Sequence, residues 1–120
     1  IGVEFLTKKI CLDGFPAMKA QIWDTSGSER YRSITTGHYR AAVGALLVFD
    51  LTDRDSFSQL DFWLENLREH ASQEVVVCLM ANKLDMAEER AVDSDEVKAF
   101  AERENLIYVG ECSAKDDINI

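Results

Sequence analysis

Three short apolar runs, at residues 42–50, 75–81 and 106–109, constrain this chain more than any other feature. Each is far too short to cross a bilayer. Continuous runs of this length fit strands covered on both faces, as in a parallel sheet. Helical stripes fill the intervals between them. Phe57, Leu60, Leu64, Leu67 and Ala71 recur at three- and four-residue spacing, with Asp53 or Asp55 available as a cap. Val97, Phe100 and Ala101 make a second stripe, with Ser94 near its start and the acids Asp95 and Glu96 in the first turn. Strands alternating with helices predict an open α/β sheet with helices on both faces. Ligands on such sheets bind at the carboxyl ends of the strands.

Ahead of these runs, residues 3–13 and 17–23 alternate in part, with Met18, Ala20 and Ile22 set against Lys19 and Gln21. Two half-buried strands joined by a turn at Asp13-Gly14 are expected. Residues 26–37 are polar and punctuated by glycine, which predicts a loop or a weak helix. Phe62 and Trp63 lie on or near the long stripe and read as packing. His70 reads as a favourable residue at a helix C-terminus. The acidic residues 88–89 and 93–96 read as a solvated face and a helix start.

A chain of 120 residues suits one domain, and 47% apolar residues can build a core. A net charge of −9 argues against a broad basic face for nucleic acid or anionic lipid. It leaves open a local phosphate site made of backbone N–H groups. Cys11, Cys78 and Cys112 match no zinc spacing, and their odd number points to a reducing compartment. Cys78, inside an apolar run, reads as a small buried hydrophobe. No signal peptide is visible. Ile1 reads as the start of a strand and residues 116–120 as the opening of a helix, so both ends are expected to be cuts through a domain.

The polar motifs fall after the strands. In the first, Asp24 closes residues 18–23 and Gly27 follows three residues later. Such a carboxylate can hold Mg²⁺ through water, and a glycine lets the backbone approach a phosphate. Alone, the pair signals only a turn. The second motif is Asn82-Lys83-Leu84-Asp85. Guanine offers N1–H and an N2 amine side by side, and one carboxylate can accept both. Adenine has no such pair. Asn82 can meet the other edge, and the apolar stem of Lys83 can cover the face. A site built to hydrogen-bond particular groups rejects an analogue lacking them by roughly 10⁴-fold or more. The third motif is Cys112-Ser113-Ala114-Lys115. A small residue there can bring a backbone N–H to a base carbonyl, and the Ser113 hydroxyl can brace a neighbouring carboxylate. Each motif alone is weak, and a capped surface turn is the plainer reading of each. Their order, and their intervals of one βα unit, make chance the minor explanation.

On these motifs, together with residues 1–5, 23–40 and 42–50, the sequence resembles the Rab branch of Ras-like GTPases along essentially its whole length. Residues 19–23 and 42–50 look most like the branch associated with recycling endosomes. The resemblance implies a P-loop NTPase-like G domain spanning 1–120 in part, from a fold with a six-stranded, mostly parallel sheet and five helices. It implies GTP and GDP as ligands, Mg²⁺, GTP hydrolysis and a role in vesicle traffic. Carried over by position, Asp24 supports Mg²⁺ through water and the Gly27 N–H contacts the γ-phosphate. Asn82, Lys83 and Asp85 hold guanine, helped by Ser113, Ala114 and Lys115. Phe5 and Trp23 belong to the surface that effectors read. His38 stands where many members carry an aromatic residue that completes this surface, and a partly exposed helix histidine is the plainer reading of it. Exchange factors, activating proteins and escort proteins are the implied partners. The implied location is the cytosolic face of endomembranes, through a prenylated tail that this sequence does not contain.

The chain departs from that family at several points. No G-x-x-x-x-G-K-[ST] occurs, so the first strand, phosphate loop and first helix are expected to be missing and two strand edges left unpaired. Ser28 stands where the family usually has the glutamine that orients attacking water. The expectation is slow hydrolysis, or dependence on a partner. Ser26 replaces the usual alanine and needs a hydrogen-bond partner if tightly packed. A pseudo-GTPase that binds partners without turnover is the alternative. An adenine-specific ATPase is disfavoured by Asp85.

Overall fold

The structure, a computed structural model, describes residues 3–25 and 37–120. Two sheets form. Strands β1 (Val3–Ile10) and β2 (Met18–Thr25) make an antiparallel hairpin. Its turn is closed by the Phe15 N–H to the Leu12 carbonyl at 3.1 Å, and Gly14 takes φ +83°, where glycine alone is unstrained. Strands β3 (Gly44–Asp50), β4 (Val76–Asn82) and β5 (Ile107–Glu111) make a parallel sheet in that order. Among the described residues, β2 and β3 do not pair with each other. The fold is therefore α/β with a parallel sheet and flanking helices.

The expected long helix is two. Helix α1 (Arg54–Ser58) is capped by Asp53, whose carboxylate accepts the Asp55 N–H at 3.0 Å. Helix α2 (Leu60–His70) follows after Gln59. Helix α3 (Ser94–Arg103) begins after Asp93. The Ser94 hydroxyl does not cap it, because it donates instead to Glu111 Oε2 at 3.0 Å. His70 Nδ1 bonds the Asn66 carbonyl at 2.9 Å at the end of α2, as its C-terminal reading implied. Phe62 and Trp63 meet edge to face at 5.0 Å and are half-buried.

The core lies between the parallel sheet and these helices. Phe49, Leu79 and Ala81 from the strands meet Leu60, Leu64, Val97, Phe100 and Ala101 from the helices. Phe57 bridges two core aromatics, 5.2 Å from Phe49 and 5.6 Å from Phe100. Helices on both faces were expected, but among the described residues they cover one. Leu46, Val48, Val76, Ile107 and Val109, on the other face, are each about half exposed. The hairpin departs further from expectation. Residues 4–10 and 18–25 of its strands are exposed apart from the partly covered Ile10 and Ala20, since no described element packs along them. Residues 116–120 form no helix. Ser113 and Ile118 exchange two backbone hydrogen bonds, at 3.0 and 2.9 Å, and close a turn.

One irregularity aims the end of β5. Its register against β4 shifts after Leu79, leaving Val109 unpaired, and Gly110 adopts φ +111°. The extra residue is a bulge, which glycine tolerates. It brings Glu111 and Cys112 level with the end of β4.

Candidate functional site

The second and third motifs converge at the carboxyl ends of β4 and β5. Two bonds fasten the loops together: the Cys112 N–H to the Ala81 carbonyl at 2.7 Å and the Leu84 N–H to the Cys112 carbonyl at 2.9 Å. Lys83 turns the chain out of β4 in the left-handed region, φ 70° and ψ 37°, into 3₁₀ turns over Leu84–Glu89 that are kinked at Met86. That conformation is uncommon for a residue bearing a β-carbon, and such residues gather at functional sites.

The motif side chains brace one another across the loops. The fully buried Ser113 donates its hydroxyl to Asp85 Oδ1 at 2.7 Å and accepts the Asp116 N–H at 3.0 Å. Asp85 is thereby fixed on one oxygen, which leaves the other as an acceptor for a ligand. Asn82 Oδ1 accepts the Ala114 N–H at 3.1 Å and lies 3.6 Å from Cys112 Sγ. With that oxygen engaged, Nδ2 is the atom of Asn82 that can donate to a base. The Ala114 N–H, expected to meet a base carbonyl, is instead committed to Asn82, so a base oxygen must share or take that bond. Lys115 is exposed beside them. Burial pushes the Cys112 thiol up, which keeps it inert.

Two clusters that the sequence analysis did not single out support these loops. Lys83 Nζ lies 2.9 Å from Asp50 Oδ2 at the end of β3. Arg90 grips both oxygens of Glu111, at 2.9 and 2.8 Å. These hydrogen bonds outweigh burial and hold the Glu111 carboxyl below its ordinary range. They also push the Arg90 guanidinium up. The pair ties the end of β5 to the segment entering α3. An acid ending an apolar run was the available signal for Asp50. Nothing local marked Arg90, because its partner is 21 residues away.

At the other sheet, Phe5 and Trp23 face each other in register, 4.7 Å apart and nearly parallel. His38, expected on a helix, sits in a turn and stacks on Trp23, again at 4.7 Å. The three expected surface residues thus form one stack, with Phe5 57% and Trp23 42% exposed. Gly27, Ser28 and Ser26 lie outside the described residues.

A model of the Ras family matches residues 1–120. The chain is 51% identical over all 120 residues to the Ras-related protein RGP2 of Oryza sativa subsp. japonica. It is also 51% identical to the GTP-binding protein ypt3 of Schizosaccharomyces pombe and 49% identical to the Ras-related protein rab-11.1 of Caenorhabditis elegans. The chain belongs to the Ras family, as a Rab-type small GTPase. It spans 54%, 55% and 56% of those relatives' lengths, in the same order.

Asp24 is the residue that the resemblance assigned to the family's metal. It is exposed at the end of β2, opposite Glu4 in register. No cluster of three metal-ligating side chains occurs among the described residues. A carboxylate is a hard oxygen donor that fits Mg²⁺, which is usually held by one or two carboxylates together with phosphates and water. Among the described residues, no helix is long and apolar enough to cross a membrane.

Proposed function

We propose that this chain supplies the base-reading half of a guanine-nucleotide switch. The parent protein binds GTP and GDP and hydrolyses GTP in vesicle traffic, on the cytosolic face of endomembranes of the recycling route. The observation that carries this reading is Asp85, held by Ser113 at 2.7 Å beside an Asn82 that is itself fixed by Ala114. A carboxylate with one oxygen anchored and one available suits the paired N1–H and N2 amine of guanine. Asn82 Nδ2 addresses the opposite edge and the Lys83 stem covers a face. Lys115 closes the far side. Asp24 would hold Mg²⁺ through water, and the ion's charge would offset that of the phosphates. Gly27 approaches the γ-phosphate. Phe5, Trp23 and His38 form the platform that effectors read, and exchange factors, activating proteins and escort proteins act on the same switch.

Titration of the full-length protein that carries this segment with fluorescent GDP in Mg²⁺, with GTP and ATP as competitors, tests the base reading. Displacement by GTP and not by ATP is expected. Equal displacement by ATP, or no binding, refutes it.

The second reading, a pseudo-GTPase, is favoured by one residue. The Ser28 hydroxyl is shorter than the usual glutamine and reaches the attacking water poorly. We therefore propose slow hydrolysis for the parent protein. Single-turnover hydrolysis should speed up in Ser28→Gln, and an unchanged rate sinks the proposal. No turnover in either form selects the pseudo-GTPase.

A further inference from the structure

The carboxyl ends of β3 and β4 lie side by side, with Asp50 in register with Asn82. Asp50 is fixed from several directions. Its Oδ1 accepts the Thr52 N–H at 2.8 Å and the Thr52 hydroxyl at 2.7 Å. Its own N–H donates to Ser56 Oγ at 2.9 Å, and its carbonyl accepts the Asp53 N–H at 3.0 Å. Only Oδ2 reaches outward, and it meets Lys83 Nζ at 2.9 Å.

Lys83 has a choice of acids. Asp85, two residues on, is close enough for its charge to be felt at the Lys83 ammonium, and so is Asp53. The ammonium sits on Asp50 instead. A half-exposed ion pair of this kind contributes little to stability. Its consequence lies in what it keeps apart. An ammonium resting on Asp85 would occupy the oxygen that Ser113 leaves open, and would neutralise the only carboxylate bonded within the base loops.

We propose that Asp50 is a positioning residue for the base site, which draws the Lys83 ammonium away from Asp85 and so keeps Asp85 able to read the guanine N2 amine. The proposal rests on the base-site reading above. Asp50 touches no base. It acts through Lys83, whose stem is thereby held as a wall beside Asn82. Both charges persist near neutrality. Burial raises the Asp50 carboxyl, but hydrogen bonds from Lys83 and Thr52 and the Lys83 charge bring it below its ordinary range. The hydrogen bond to Asp50, with its charge, raises the Lys83 ammonium.

The test compares affinities for GDP and IDP, which differ only in the N2 amine, in the full-length protein that carries this segment. Wild type should prefer GDP. Asp50→Asn, which keeps the shape and the Thr52 bonds, frees Lys83 to pair with Asp85. The GDP:IDP preference should then shrink about tenfold, the worth of one hydrogen bond to a charged group. Asp50→Glu keeps the charge and should retain the preference. Asp50→Asn combined with Lys83→Met removes the competing ammonium and should restore the preference, though not the full affinity. A merely structural role for Asp50 predicts no such rescue. Asp50→Ser, alone and with Lys83→Met, repeats the comparison if Asp50→Asn folds poorly. A GDP:IDP preference unchanged in the Asp50 variants, or a loss that Lys83→Met does not reverse, overturns the proposal and leaves the base-site reading intact. A wild type that does not distinguish GDP from IDP overturns both.

Discussion

Replacing Ser113 with alanine removes a single oxygen that joins two loops. In the structure that oxygen donates to Asp85 Oδ1 at 2.7 Å and accepts the Asp116 N–H at 3.0 Å, at a residue with no exposed surface. Hydrogen bonds to charged groups contribute about 1.5–3 kcal/mol and neutral ones about 0.5–1.5 kcal/mol. Asp85 is only half-buried and Asp116 is exposed, so water can replace part of both bonds. The net cost of Ser113→Ala is therefore about 2 kcal/mol. Equilibrium urea unfolding followed by tryptophan fluorescence reads this directly. With m of about 1–3 kcal/mol/M, the midpoint should fall by roughly 1 M at unchanged m. A double-mutant cycle with Asp85→Ala should return a coupling of about 1–2 kcal/mol, because the two side chains touch. A midpoint shift below about 0.2 M, or a coupling near zero, refutes the claim that Ser113 anchors the Asp85 carboxylate.

Two further outcomes are expected. The first concerns pH. Hydrogen bonds from Arg90 hold the Glu111 carboxyl below its ordinary 4.5. A depressed carboxylate contributes stability that is complete above that value and is lost as pH falls through the folded-state value. Wild type should therefore exceed Arg90→Met by about 1–2 kcal/mol at neutral pH, with the gap closing on acidification below 4.5; a gap that stays constant in urea melts down to acid pH contradicts this. The second concerns the bulge. A β-carbon at Gly110 meets no atom within 4 Å, so only the backbone at φ +111° resists it. Gly110→Ala should cost about 1–2 kcal/mol in thermal unfolding, and a neutral result means that the bulge relaxes freely.

The periodicities made the element types legible. Apolar runs became β3, β4 and β5, and the three- and four-residue stripes became helices, because burial selects the same residues that repeat. Boundaries moved by a residue or two where loop bonds decided them. Asn82, for example, is the last residue of β4 and pairs with Asp50. The break at Gln59 was not legible. The stripe runs straight across it, while Ser56 bonds back to Asp50 and fixes α1 separately. Asn82, Lys83, Asp85, Ser113, Ala114 and Lys115 could be named from sequence because each lies at or just beyond the end of an apolar run. The direction of their bonds could not be, since the Ala114 N–H has two reasonable acceptors and only the packed loops select Asn82.

The sequence by itself determined which side chains gather where the apolar runs end: a carboxylate, an amide and a serine, at or within a few residues of the ends of β4 and β5. Tertiary structure alone decided how they are held. Asp50 and Lys83 lie 33 residues apart in number yet 2.9 Å apart in space, through the register of two parallel strands. Glu111 finds Arg90 through a one-residue bulge. The physical reason is range. Hydrophobic period and turn chemistry act over a few residues and are written locally. An ion pair between strand ends depends on register, and register emerges only when the core closes.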